Sequence, residues 1–242
     1  MRISVTFTWD IPAAQKIYLS WKAHYSDVQL GGPAFDDAGG EFVPGRFLKH
    51  GVTITSRGCP RHCKFCLVPK REGRIRELPI RDGWIVQDNN LLACGQQHID
   101  RVFDMLERQP HPADFAAGLD ARLLKPWHID RFKSLRSPRL WFACDEAAAL
   151  KPLAKVAGML NGIANKFCYA LIGHDPNETI PEAEKRLRAI WELGFYPFAM
   201  LYRGPNGEGH KSKDWKQFQR TWCRPAAYKS VMKNTPGAGR ED

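Results

Sequence analysis

The residues most able to do chemistry are three cysteines in the segment Gly58-Cys59-Pro60-Arg61-His62-Cys63-Lys64-Phe65-Cys66, spaced C-x3-C-x2-C. Three thiolates this close together can bind one metal centre, and soft sulfur ligands select iron–sulfur clusters or zinc. A structural zinc takes four protein ligands, commonly from repeated C-x2-C pairs. No second pair exists here: Cys94, Cys144, Cys168 and Cys223 are isolated. His62 lies between two of the cysteines, where reaching the same ion would be cramped. Three cysteines on a four-iron cluster leave one iron without a protein ligand, an open site that is useful only to a small molecule. The start, Met1 to Phe7, alternates like a strand and lacks an apolar leader. An odd total of seven cysteines without a leader favours metal or redox chemistry in the cytoplasm over a disulfide framework.

The elements that must position these thiols alternate along the chain. Val52–Thr55 reads as a first strand that ends just before the cysteines. Trp84–Gln87 is a second, followed by a helix over 97–108. Asp114–Leu119 is a third, with a helix near 126–135 behind Pro126. Arg139–Ala143 is a fourth, with a helix over 148–160, and Lys166–Ile172 a fifth. Thr179-Ile180-Pro181-Glu182 opens a helix over 180–193 with a capping box, and Tyr196–Leu201 is a sixth strand. Six strand–helix units predict an α/β fold with parallel strands and right-handed crossovers, as an open sheet or an incomplete barrel. Residues 1–45 read as a short α/β extension: a strand, a helix around Ala13–Tyr25, a strand at Val28–Leu30, and a Gly/Pro/Asp-rich connector ending at Gly45. Residues 46–203 are the main body. Residues 204–242 are a basic, aromatic helical extension with a frayed tail from Lys233 containing Pro236-Gly237-Ala238-Gly239.

The chain has 242 residues, 43% hydrophobic and 26% charged, enough for one large domain with a proper core. No apolar run reaches the length of a membrane helix, so no membrane partner is expected. The net charge of +10 is uneven. Residues 46–81 hold ten Lys/Arg and two acids, and residues 203–240 hold nine and two. The rest carries 17 bases and 22 acids, so two basic segments sit on a slightly acidic body. Such segments point to an anionic partner or to a solvated basic surface. In the second segment Trp215, Phe218 and Trp222 recur at i, i+3, i+7, the pattern of a helix packing on the body, while Lys213, Lys216 and Arg220 stay available. The same interleaving of rings and cations also suits a nucleotide or nucleic acid.

With its three-cysteine spacing, its Phe65 before the last cysteine and its six strand–helix units, the chain over roughly 50–203 resembles the radical S-adenosylmethionine enzymes. The resemblance implies an incomplete (β/α)6 barrel with Cys59, Cys63 and Cys66 holding a [4Fe–4S] cluster. The fourth iron would bind S-adenosylmethionine, and one electron, from a donor such as flavodoxin or ferredoxin, would cleave it to methionine and a 5′-deoxyadenosyl radical. The stretch Cys-Pro-Arg-His-Cys-Lys-Phe-Cys-Leu-Val-Pro is similar to the branch that often carries a cobalamin-binding domain. Yet the cobalt-ligating D-x-H-x-x-G pattern is absent and forty-five residues cannot enclose a corrin, so cobalamin is not expected and the extension reads as a remnant.

Carried onto this sequence, the resemblance implies further cofactor contacts. Phe65 would shield the cluster or lie near the adenine. Asp88 and Asn89, after the second strand, stand where the family has a Gly-Gly-Glu-like element contacting the methionine amino group, or else form a plain turn. Asp120 and Arg122, after the third strand, are placed to meet the methionine carboxylate or an anionic substrate. Asp145 is the candidate for the ribose hydroxyls, or a helix N-cap. Gly173 would let backbone run along the adenine, with His174 beside it as a loop residue or a catalytic one. Met200 would wall the adenine or substrate, or fill the core. Cys144 is a candidate hydrogen donor to a product radical, or a buried small hydrophobe. Three classes follow: a radical enzyme on an anionic nucleotide or nucleic acid; one that modifies a peptide or activates a glycyl-radical partner; and a non-enzymatic zinc or iron–sulfur nucleic-acid-binding module.

Overall fold

The computed structural model describes residues 1–35 and 48–233. The connector up to Gly45 and the tail with Pro236-Gly237-Ala238-Gly239 lie outside the described residues. The chain divides into two compact units, Met1–Val43 with Arg203–Glu208, and Pro44–Tyr202 with Gly209–Asp242.

The first unit is one parallel crossover. Strand β1 (Arg2–Ser4) pairs with β2 (Gln29–Gly31), and α1 (Ile11–Lys22), entered through Pro12, connects them. The later segment is tied in by Thr8 Oγ1 donating to the Pro205 carbonyl at 2.6 Å and by the Arg203 guanidinium lying 4.0 Å over the Trp9 ring.

In the second unit the chain runs β3 (Val52–Thr53), β4 (Ser56–Arg57), α2 (Val68–Arg71), β5 (Arg76–Glu77), β6 (Ile85–Val86) and α3 (Gln96–Glu107). It continues through β7 (Asp114–Leu119), α4 (Pro126–Ser134), β8 (Arg139–Ala143), α5 (Leu150–Met159), β9 (Lys166–Ile172), α6 (Ile180–Glu192), β10 (Tyr196–Leu201), α7 (Lys213–Trp222) and α8 (Pro225–Lys233). Six strands form one parallel sheet in the order β10-β9-β8-β7-β6-β3, and β4 and β5 form a separate antiparallel hairpin. Period-two burial explains the layering. Leu140 and Phe142 of β8 and Cys168, Ala170 and Ile172 of β9 are fully buried, whereas Trp141, Phe167, Tyr169 and Leu171, on the opposite face, are half-buried. Helix α6 keeps its capping box, with Thr179 and Glu182 bonding each other's backbone N–H.

Strands β7 to β10 run where the alternation of apolar residues places them. The first two expected strands are shorter, and the reason is local. Past Thr53 the chain leaves the ladder because the Thr55 N–H donates to the Asp88 carboxylate at 2.6 Å, and Ser56–Arg57 then pairs with Arg76–Glu77. The helix expected over 148–160 opens as a 3-10 turn at Ala147–Ala149 before α5. In α7, Trp215 and Trp222 are buried, and Trp222 stacks on Tyr228 of α8, so these rings belong to the core. Lys213, Lys216 and Arg220 are exposed.

Candidate functional site

The three cysteines lie on the connection between β4 and β5, which starts at the carboxyl side of β3. Its entry requires Gly58, whose φ of +86° is costly for any residue with a Cβ. The Gly58 N–H donates to Asn89 Oδ1 at 3.0 Å, and the Cys59 N–H donates to the Gly73 carbonyl at 3.2 Å. A turn follows in which the Cys66 N–H donates to the Cys63 carbonyl at 3.0 Å. The Cys59 sulfur receives two N–H groups, the Arg61 backbone and the Asn90 side chain, both at 3.4 Å. All three cysteines are half-buried. Burial pushes the Cys63 and Cys66 thiols up, the neighbouring cysteines add to this, and Arg122 opposes it at Cys63.

Side chains from the ends of β6, β7 and β9 bear on this loop or on the strand that delivers it, and the residue beyond β8 meets the one beyond β9. Beyond β6, Asp88 is buried and its carboxylate accepts from Thr55 N, Thr55 Oγ1 and Ser56 Oγ at 2.6, 2.6 and 2.8 Å. Beyond β7, Asp120 accepts from Arg61 Nε at 3.0 Å and from Arg122 Nε at 2.7 Å, so one carboxylate links the loop to the sheet. Burial works against its ionisation, but the hydrogen bonds from Arg122 and Arg61 together outweigh it and leave its pKa lowered. Beyond β8, Asp145 Oδ1 accepts from the Leu171 N–H at 2.8 Å. Its pKa is raised by burial, against the pull of that bond, and its charge is felt at Cys63 and Cys66. Beyond β9, the His174 ring lies 4.7 Å from that of Phe65, and His174 Nε2 is 3.1 Å from the Asp145 carbonyl oxygen.

Cys59, Cys63, Cys66, Phe65, Arg122 and Asp145 are thus brought together, while other expected contacts need correction. Asp88 is buried and its carboxylate is spent on Thr55 and Ser56, so it does not meet a methionine amino group, while Asn89 Oδ1 accepts the Gly58 N–H. Asp145 is not a helix N-cap; it caps a neighbouring strand instead. At Gly173, with φ of +69°, an added Cβ would stand 2.7 Å from the His210 ring, so a histidine fills the space beside this backbone where the resemblance put a ligand ring. Met200 lies on the half-buried sheet face in register with Leu171. Cys144 is fully buried with its thiol pushed up to about 12, which leaves it a core residue without access to a product radical.

Arg61 and Asn90 are the contributors that sequence reasoning passed over: Arg61 carried no role there, and Asn90 stood only as the third residue of a turn. His174 was read beside Gly173, and it meets the Phe65 ring. Among the described residues no three His, Cys, Asp or Glu side chains converge as they would around a single metal ion. No helix among them is long and apolar enough to cross a membrane.

Comparison with known proteins returns no matching family model, no matching curated protein and no matching solved structure. The chemistry of the site is therefore argued from its own residues. The donor set is three thiols on one loop, with two N–H groups directed at one of the sulfurs, which suits iron–sulfur ligation. A four-iron cluster distributes its cysteines over separate irons and does not require the sulfurs to meet at one point, as a tetrahedral zinc does.

Proposed function

We propose that this chain is a radical S-adenosylmethionine enzyme built on an incomplete (β/α)6 barrel. The observation that carries the reading is the convergence of Asn89 and Asn90, Asp120 and His174, from the carboxyl ends of three parallel strands of one sheet, on one C-x3-C-x2-C loop, with Asp145 of the strand between meeting His174 through its carbonyl. Binding sites of parallel α/β folds lie at those ends. A strictly sequential strand order with right-handed crossovers puts the helices on one face, which supports a curled sheet over a doubly wound one.

Cys59, Cys63 and Cys66 would hold three of the irons. When bound and reduced by an external one-electron donor, the cluster would supply the electron for reductive cleavage of S-adenosylmethionine to methionine and a 5′-deoxyadenosyl radical, which would take a hydrogen atom from the substrate. The protein's part is to bind and orient. Arg122, half-exposed and already fixed by Asp120, receives the methionine carboxylate. Asp145 keeps one carboxylate oxygen for the ribose hydroxyls while the other stays on Leu171. Phe65, backed by His174, shields the cluster from water.

The substrate is anionic, a nucleotide or nucleic acid. Lys64, Lys70, Arg71 and Arg74, all on the cysteine connection, are exposed and have no acidic partner among the described residues. Cations left unpaired beside a reactive centre favour a phosphate-bearing ligand over a neutral peptide.

Anaerobic reconstitution with iron and sulfide, then reduction and assay for 5′-deoxyadenosine, tests the reading. Four irons per chain with 5′-deoxyadenosine formation is expected. A fully assembled and reduced cluster that leaves S-adenosylmethionine intact removes the enzyme, and a colourless zinc protein moves the chain to the binding-module class. Polynucleotide binding measured across salt separates substrates: affinity independent of salt excludes nucleic acid and points to a peptide or protein.

A further inference from the structure

Asn90 follows the second strand of the sheet and is 3% exposed. Its Nδ2 stands 3.4 Å from the Cys59 sulfur, while its Oδ1 is buried without a hydrogen-bond partner. This is an unusual way to use a buried amide, because an unmet acceptor in the interior is costly. The alternative role is at hand and is not taken. Asn90 precedes the 3-10 turn Leu91–Ala93, yet its side chain makes no cap bond to that turn. It gives up a cap and one buried hydrogen bond, and keeps only the bond to sulfur. Rotating the amide by half a turn would set an oxygen against a thiolate, two acceptors facing each other. Neither Cys63 nor Cys66 receives a side-chain donor among the described residues.

We infer that Asn90 is a tuning residue that donates its amide N–H to the Cys59 thiolate and raises the reduction potential of the cluster. The inference rests on the iron–sulfur reading above. The physical cause is electrostatic. A donor to a ligand sulfur withdraws negative charge and stabilises the more reduced, more anionic state. The position is dry, so the bond is not screened by water. Cys66 receives a backbone N–H from Val68, so what sets Cys59 apart among the described residues is its side-chain donor, and the iron it would hold differs electronically from its neighbours.

The test compares reconstituted wild type with Asn90→Leu, Asn90→Asp and Asn90→Gln. Midpoint potential is read by EPR-monitored titration, iron per chain is measured in parallel, and Fe–S stretching bands are recorded by resonance Raman. Leucine keeps the branched outline of the side chain and deletes the donor, so its midpoint moves to a more negative value and its cysteine–iron band shifts. Aspartate adds a negative charge and moves the midpoint further. Glutamine, which keeps an N–H, returns toward wild type. Loss of iron from the leucine and aspartate variants with retention in glutamine also supports the donor. A leucine variant with four irons, a wild-type potential and a wild-type vibrational spectrum overturns the inference and leaves the iron–sulfur reading standing. Loss of iron from all three variants makes Asn90 a residue of shape and overturns the donor role. A wild-type chain that assembles no four-iron cluster overturns the reading itself, and the inference with it.

Discussion

The ring of Phe65 lies 4.7 Å from that of His174, joining the end of the cysteine motif to the loop beyond the fifth strand of the sheet. The same motif begins on Asn89 and Asn90, beyond the second strand. The loop is therefore held at both ends by the sheet it stands on, and Asp120 holds its middle through Arg61.

Asp120→Asn keeps the shape of that middle anchor and removes its charge. Two partly exposed guanidinium partners are weakened, so the variant loses about 1–2 kcal/mol in urea denaturation at pH 7. The folded-state pKa is lowered, so the contribution is fully present above the ordinary carboxylate value of ~3.9 and disappears as pH falls through the lower folded value. Stability curves of the two proteins should meet in acid. A gap that persists there rejects the ion-pair account.

Asp145 has the opposite sign. Burial raises its pKa, so between the ordinary and the raised value the unfolded chain releases a proton that the folded chain keeps. Wild type loses stability as pH rises through that window and then levels off. Asp145→Asn retains an acceptor for the Leu171 N–H and lacks the titration. Its stability relative to wild type rises across the window and stays constant above it; parallel curves count against a carboxylate held in this environment.

Gly58 and Gly73 form a matched pair. Both have positive φ, but a Cβ at Gly58 would collide with the Arg74 carbonyl, whereas one at Gly73 meets nothing within 4 Å. Gly73→Ala pays only for conformation, about 1 kcal/mol, while Gly58→Ala adds a backbone clash and costs about 2–3 kcal/mol. Denaturation midpoints of the two variants measure the difference. Equal effects dispose of the close approach.

Cysteine reactivity separates the motif from the remaining thiols. In folded, metal-free protein at pH 8, iodoacetamide labels Cys59, Cys63 and Cys66 before Cys94, Cys144 and Cys168, as peptide mapping will show. Burial pushes Cys94 up to about 11, so about one thiol in a thousand is ionised there at pH 8. Cys144 and Cys168 are fully buried. Early labelling of either contradicts the core described above, and urea should erase the order.

Legibility in the sequence follows the range of the interactions. The strands Asp114–Leu119, Arg139–Ala143, Lys166–Ile172 and Tyr196–Leu201 stand where alternation puts them, because hydrophobic residues buried every second position mark a strand locally. Val52–Thr55 is shortened by a carboxylate thirty-three residues away, which no local pattern encodes. The cysteines are readable because their spacing is itself the signal. Arg61 reaches Asp120 across fifty-nine residues and Asn90 reaches Cys59 across thirty-one, so their roles exist only once the sheet has formed. Asp88 shows the reverse error: a residue type suited to a ligand is used to fold the chain.

The strands that pair with one another do so very unequally. The ladder between β10 and β9 runs from Tyr196–Phe167 to Leu201–Ile172, but β6 meets β7 at Ile85 and Asp114 alone, and β3 meets β6 at Val52 and Thr53. Protection against amide exchange should fall along the same gradient, with the β3 edge opening at the lowest free energy. The cysteine loop hangs from that edge. A ligand bridging its three sulfurs acts as a clasp on the least cooperative part of the sheet, and its arrival is felt as slowed exchange at Thr53, Thr55 and Ser56. Loading such a site would then be thermodynamically linked to completing the fold at this edge.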